Sequence, residues 1–101
     1  MATLGRMQSW YEQRCDGDWE HQYGIKIETL DNPGWVLTVD LAETDLEGAS
    51  FDEVIIERSD RDWVRCRREQ MTFRGYGGPS NLDEILTVFL RWSEQAKASL
   101  P

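Results

Sequence analysis

Two short alternating segments, joined by a turn rich in proline and glycine, constrain the fold of this chain more than any other feature. Apolar and polar side chains alternate in residues 23–30 and again in residues 35–41. Alternation with a period of two is typical of a strand with one buried face. The residues between them, Asn32 to Trp35, predict a type II turn, because Pro33 pre-sets its own φ and Gly34 tolerates a positive φ. The two segments therefore predict an antiparallel hairpin.

Further strands and two helices are predicted around this hairpin. Apolar residues at spacings of three and four predict a helix over residues 4–15. A second helix is predicted to follow its cap, Asn81, with Glu84 completing a capping box and an apolar stripe running from Leu82 to Ala96. Alternation predicts three more strands, at residues 51–58, 63–69 and 71–76, with Met71 and Phe73 facing inward in the last. Strands without βαβ alternation indicate an α+β class: an antiparallel sheet of about five strands, with the N-terminal and C-terminal helices packed on it.

The length of the chain, 101 residues, predicts a single domain spanning residues 1–101. No apolar run is long enough to cross a membrane, and the first ten residues lack the apolar centre of a signal peptide. These features predict a cytoplasmic protein with no membrane partner. Cys15 and Cys66 are then expected to be reduced thiols, both buried as small apolar residues.

The net charge of −8 is unevenly distributed along the chain. Residues 15–57 hold twelve acidic side chains and one lysine, a balance of −11, whereas the remaining residues balance at +3. An acidic surface repels nucleic acid and attracts basic partners over long distances. The same charge also serves simply to keep a protein soluble, so both interpretations stay open.

A short arginine-rich segment offers a basic alternative; its members are Arg58, Arg61, Arg65, Arg67 and Arg68. With Trp63 and Tyr76 as stacking surfaces, these side chains are typical of a nucleic-acid-binding face. The simpler use of the arginines is cross-strand ion pairing with the acidic residues 52–57. Because the rest of the chain is acidic, we predict no direct binding of nucleic acid.

The segment from Cys15 to His21, CDGDWEH, concentrates the titratable side chains. Carboxylates occupy positions 1, 3 and 5 of a calcium-loop pattern, namely Asp16, Asp18 and Glu20. However, His21 stands where that pattern requires glycine, and Ile27 stands where it requires a bidentate glutamate. One histidine and two distant cysteines do not supply a zinc site either. We therefore predict neither a metal nor a cofactor.

His21, the single histidine of the chain, raises an enzymatic alternative. A nucleophilic pair with Cys15 or Cys66, or a pair of nearby carboxylates, would make a small enzyme or ligand-binding domain with a site around His21 and residues 75–80. That alternative predicts a concave pocket in which carboxylates converge on His21. The simpler interpretation of His21 is a turn residue that hydrogen-bonds a neighbouring group.

The motifs CDGDWEH, YGI and LDNPGW, in this order and spacing, resemble the immunity protein 53 family of bacterial polymorphic toxin systems. The similarity extends over nearly the whole chain, including Trp10-Tyr11, Asp40-Leu41, Asp62-Trp63 and Gly77-Gly78-Pro79. This resemblance implies a cytoplasmic antidote that binds a cognate toxin domain and blocks its activity. It implies no catalytic residue, and it does not define the toxin, for which a nuclease is one candidate.

Charge and resemblance together predict a toxin-binding surface, acidic and anchored by an exposed Trp19. The candidate residues are Asp16, Asp18, Trp19, Glu20, His21, Glu43, Asp45 and Glu47. A competing interpretation gives CDGDWEH a structural role, in which its carboxylates cap turns or pair with arginines. The predicted partner is the toxin protein, and the free chain is expected to be a monomer or a weak homodimer.

Overall fold

A computed structural model describes residues 2–98 of the chain. Its elements, in chain order, are α1 (Thr3–Arg14), α2 (Trp19–Gln22), β1 (Ile25–Leu30), β2 (Gly34–Asp40), β3 (Val54–Ser59), β4 (Asp62–Glu69), β5 (Thr72–Gly77) and α3 (Leu82–Ala98). The predicted α+β class, with five strands and a helix near each end, is confirmed. The single-turn helix α2 was not predicted.

The strands form one antiparallel sheet in the order β1-β2-β5-β4-β3. Tight hairpins join β1 to β2, β3 to β4 and β4 to β5. The connection from β2 to β3 is longer, because β2 lies next to one edge of the sheet and β3 forms the opposite edge. Residues 41–53 therefore cross the molecule, and they carry much of the acidic charge with them.

The core lies between one face of the sheet and the two long helices. Ile85, Leu86, Phe89 and Trp92 are buried on α3, which confirms its predicted apolar stripe. They pack on inward side chains of the central strands, among them Leu37, Val39, Val64 and Phe73. Full burial of one such side chain contributes about 1.5–3 kcal/mol. Within residues 2–98, no helix is long and apolar enough to cross a membrane.

The turn of the first hairpin differs from the prediction. Leu30 pairs with Gly34, so the turn consists of residues 31–33 and Gly34 already belongs to β2. Gly34 does not have a positive φ, and the predicted type II turn is therefore wrong. Glycine is required here for another reason: a Cβ on residue 34 would lie 2.3 Å from the carbonyl oxygen of Gly77 on β5.

Two predictions about individual side chains need correction. Met71 is exposed rather than inward, because β5 begins only at Thr72, after a turn in which Gln70 has a φ of 55°. Cys15 is exposed, since α1 ends at Arg14 and the chain turns away there. Cys66 is buried as predicted, and burial raises the pKa of its thiol to about 12.

The predicted capping box at the start of α3 is also not formed. The Asn81 side chain accepts a hydrogen bond from the backbone N–H of Trp63 at 3.3 Å and donates to Asp62 and Glu84 at 2.9 and 3.1 Å. Glu84 thus accepts from a side chain, while the backbone N–H of Asn81 donates to Gly78. Asn81 therefore connects the start of α3 to β4 instead of capping the helix.

Candidate functional site

The CDGDWEH motif folds into a closed turn between α1 and α2. Gly17 has a φ of 91°, which reverses the chain just after α1. One Asp16 carboxylate oxygen accepts hydrogen bonds from the backbone N–H groups of Asp18 and Trp19, both at 2.9 Å. The Glu20 carboxylate accepts from the backbone N–H groups of Asp16 and Gly17 at 2.9 and 2.8 Å. Two of the three carboxylates therefore stabilise the turn itself.

These hydrogen bonds favour the ionised carboxylates. The pKa of Asp16 is lowered, first by the N–H of Trp19 and then by that of Asp18. The pKa of Glu20 is also lowered, first by its own N–H and then, against the effect of desolvation, by those of Asp16 and Gly17. The competing structural interpretation of the motif accordingly holds for Asp16 and Glu20.

Replacing Asp16 with asparagine is expected to reduce stability at neutral pH and to flatten its loss in acid. A carboxyl whose folded pKa is lowered stabilises the fold above its ordinary pKa, and this stabilisation disappears as the pH falls through the folded value. Urea unfolding between neutral pH and about pH 3 measures both effects. Asp31→Asn, in the exposed hairpin turn, is the control. An Asp16→Asn variant with the wild-type stability and the wild-type acid slope would contradict the assignment.

Trp19 does not present the exposed edge that the sequence predicted. Its side chain is 4% exposed, and its ring packs edge-to-face on Trp10 and Tyr11, with both centroids at 6.2 Å. The indole N–H donates to the carbonyl oxygen of Ala42 at 2.9 Å. An exposed Trp19 anchor is therefore wrong, because the ring fastens the CDGDWEH turn to the start of the acidic connection.

The connection between β2 and β3 holds the second group of candidate carboxylates. Glu43, Asp45 and Glu47 are exposed on this loop. Leu46, between them, is 1% exposed and belongs to the core. The Glu47 carboxylate accepts from the backbone N–H of Glu43 at 3.0 Å, where Glu43 has a φ of 60°. The loop is thus a folded segment with its apolar residue inside and its charges outside.

Contacts at two points hold the loop against the turn and the end of α1. Trp19 bonds to Ala42, as described, and Arg14 at the end of α1 pairs with Asp45 at 2.6 Å. The pKa of the Tyr23 phenol is raised, first by burial and then by the neighbouring charge of Glu43. We call the resulting region the acidic surface; it comprises Asp16, Asp18, Glu20, Glu43, Asp45 and Glu47, with His21 exposed on α2 beside it.

His21 lies on α2 and is exposed. The backbone N–H of His21 donates to the carbonyl oxygen of Asp18 at 3.1 Å. The Glu20 carboxylate next to it is directed at backbone donors. Cavities of about 730, 420 and 570 Å³ lie elsewhere, and His21 lines none of these three. In residues 2–98, no group of three or more His, Cys, Asp or Glu side chains is placed to hold a metal ion.

The arginine-rich segment is used largely in ion pairs. Arg65 pairs with Glu57 across β3 and β4, as the alternation predicted. Arg67 and Arg74 instead approach Glu69 at 3.4 and 3.5 Å. Arg58 pairs with two acidic residues, Asp62 at 2.8 Å and Glu84 at 2.7 Å. Acidic side chains thus lie beside Arg58, Arg65, Arg67 and Arg74.

The model of the family described as immunity protein 53 matches residues 4–94, which is nearly the whole chain. The chain belongs to the immunity protein 53 family. No curated protein and no solved structure is significantly similar to it.

The structural role of Arg68 in this immunity protein was not predicted from the sequence. The Arg68 guanidinium donates to the backbone carbonyl of Leu46 at 2.9 Å and also to those of Glu47 and Ala49. Its Nε donates to the carbonyl of Gln70 at 2.8 Å. In the sequence Arg68 resembles the arginines next to it. Its acceptors are backbone carbonyl groups of residues 46–49, and no local sequence pattern indicates that they lie near Arg68. Arg68 holds the acidic loop against the sheet.

Proposed function

We propose that this chain is an immunity protein that binds a cognate bacterial toxin domain through the acidic surface and thereby neutralises it. Membership of the immunity protein 53 family supports the general role. The observation that carries the finer proposal is the meeting of two acidic segments, distant in sequence, at one place. The fold fixes them there through Trp19 and Arg68, so the surface is ordered before a partner arrives.

Electrostatics favours a basic partner. The segment that contains the acidic surface, residues 15–57, has a balance of −11. Such a field increases the rate at which a basic protein associates, and it does so most strongly at low salt. A nuclease toxin is a suitable partner, since it needs basic side chains to bind phosphate groups. Carboxylates placed over those side chains would block the substrate without any catalysis by the immunity protein.

Tyr11 takes the place of Trp19 as the aromatic contact of this surface. Its side chain is 39% exposed and its ring packs against the buried Trp19. The pKa of Tyr11 is raised, first by Cys15 and also by the charge of Glu20, which is one of the carboxylates of the acidic surface. Exposed tyrosines held by a rigid support are common anchors in protein interfaces.

The remaining aspects of the proposal follow from this role. The protein acts as a stoichiometric inhibitor, needs no cofactor and contacts neither nucleic acid nor membrane directly. It acts in the cytoplasm, as a monomer or a weak homodimer, where it meets a toxin that is imported or made by the same cell.

Charge reversal tests the acidic surface. The double variant Asp18→Lys and Glu43→Lys is expected to weaken toxin binding at least tenfold, roughly the effect of 1.4 kcal/mol, mainly by slowing association. Both side chains are exposed, and neither makes the turn-closing hydrogen bonds of Asp16 and Glu20. The measured quantities are the rates at which the cognate toxin domain associates with and dissociates from each variant, at low and at high salt.

A matched control has the same net charge as the test variant. Glu28→Lys with Asp31→Lys makes an equal charge change on β1 and its turn, away from the acidic surface. This control is expected to retain most of the affinity. If the Asp18 and Glu43 variant folds and binds as tightly as wild type, the acidic surface is not the inhibitory surface.

A further inference from the structure

We propose that the free edge of β3 binds an extended segment of a protein partner, in which basic and apolar residues alternate. The segment would add as a further strand to the sheet. Two structural features meet at this edge: a strand with an open side, and an apolar groove directly beside it. The identification of the toxin as the protein that carries the segment rests on the proposed function; strand addition itself does not.

The open side of β3 follows from the topology. Within residues 2–98, β3 is the last strand of the sheet and pairs only with β4. Ile55, the second residue of β3, lies on the face opposite the helices and is 55% exposed. A free edge presents backbone N–H and C=O groups that pair with an incoming strand. The exposed apolar side chain adds a contact on the open face.

The groove lies on the other face of the same edge. It has a volume of about 730 Å³ and is bounded by residues 49–56 and α3. Its apolar lining includes Phe51, Val54, Ile56, Val88, Trp92 and Ala96. The indole N–H of Trp92 donates to the carbonyl of Ser50 at 2.9 Å, which fixes one wall. Inward side chains of an added strand would enter this groove.

The charges of the edge define the chemistry of the added strand. Residues opposite one another on neighbouring strands share a face. Alternation in β3 places Glu57 beside Ile55 on the open face, and Glu53, which directly precedes the strand, has the same two-residue spacing from Ile55 on its other side. Arg65 compensates part of the Glu57 charge, so Glu53 contributes more. A matching segment therefore has basic residues opposite Glu53 and Glu57 and apolar residues opposite Val54 and Ile56.

The same charges disfavour a second copy of this chain as the occupant. Antiparallel pairing of two β3 strands about Ile55 would place Glu53 of each copy directly opposite Glu57 of the other. Pairing about Ile56 would place Ile55 opposite Glu57 instead. Like charges directly opposed across strands are destabilising, as is an apolar residue paired with a carboxylate. A partner with its own basic residues avoids both conflicts.

A synthetic peptide tests strand addition without the toxin. The probe is the blocked peptide Thr-Lys-Val-Thr-Val-Lys-Thr, and its control has glutamate in place of both lysines. Titration into the isotope-labelled full chain is expected to shift the backbone amide signals of residues 53–58 and the Trp92 indole signal. The glutamate peptide should bind at least tenfold more weakly, because its carboxylates would oppose Glu53 and Glu57.

Two exposed isoleucines on opposite edges provide a matched pair of variants. Ile55→Lys is expected to weaken peptide binding roughly tenfold by repelling the basic segment. Ile27→Lys makes the same change at the centre of β1, where the side chain is 42% exposed, and should leave binding unchanged. Neither residue is in the core, so both variants should fold.

The outcomes separate the two proposals. No shift at β3, or shifts confined to β1, would overturn strand addition, as would β3 shifts that grow with protein concentration in the absence of peptide. If the peptide binds at β3 but the toxin does not bind the wild-type chain, the proposed function fails and strand addition stands. If the toxin binds wild type and Ile55→Lys equally well, the toxin is not the source of the segment.

Discussion

Replacing Phe73 with alanine is expected to lower the free energy of unfolding by about 3–5 kcal/mol. Phe73 is fully buried on β5, and its ring contacts three other aromatic rings, those of Phe51, Phe89 and Trp92, with centroids between 5.1 and 6.0 Å away. Truncation removes these contacts and leaves a cavity where the strand meets α3. Domains of this size are stable by about 5–15 kcal/mol, so the loss is a large share of the total.

Chemical unfolding followed by tryptophan fluorescence measures this effect, since Trp92 stacks on the Phe73 ring at an interplanar angle of 21°. Met71→Ala is the control, because Met71 precedes the same strand but is exposed. Its effect should stay within about 0.5 kcal/mol. A Phe73→Ala variant that loses less stability than about 1 kcal/mol would show that the aromatic cluster repacks around the cavity.

The elements of this fold could be predicted from the sequence, but the order of the strands could not. Period-two alternation identified both strands of the first hairpin, and the apolar spacing in residues 82–96 identified α3. Alternation reports only which face of a strand is buried, and the same pattern suits a central strand and an edge strand. The strand order depends on where residues 41–53 cross, which buried Leu46 and the hydrogen bonds of Arg68 determine.

The position of CDGDWEH in the fold was predicted better than the role of each of its side chains. CDGDWEH begins at Cys15, where the sequence predicted the first helix to end. The missing element was α2, whose first N–H groups supply donors to Asp16. The sequence did contain a signal for a new helix start. Asp16 stands just before that start, and Glu20 follows four residues later. Trp19 was harder to predict, because its hydrogen-bond acceptor is Ala42, far along the chain.

Replacing Arg68 with alanine is expected to cost about 2–3 kcal/mol of stability and, in addition, to weaken toxin binding. The Arg68 guanidinium donates hydrogen bonds to the carbonyl groups of Leu46, Glu47 and Ala49. Without the arginine side chain, these three acceptors lose their donor and must be satisfied by water. The loop that carries Glu43 and Glu47 would then lose its fixed position. Ordering it again on binding costs free energy, so we expect slower association and faster dissociation.

Arg68→Lys and Arg67→Ala separate geometry from charge in this prediction. Lysine keeps the positive charge but cannot reach several carbonyl groups in the fork geometry of a guanidinium, so Arg68→Lys should recover only part of the stability. Arg67→Ala removes an exposed arginine from the adjacent position, where it approaches Glu69, and should change stability by less than about 1 kcal/mol. Hydrogen exchange of residues 43–49 gives an independent readout, because only loss of the Arg68 contacts should expose those amides. If Arg68→Ala keeps their protection and binds toxin normally, then Leu46 alone holds the acidic loop in place, and the arginine is dispensable to the surface.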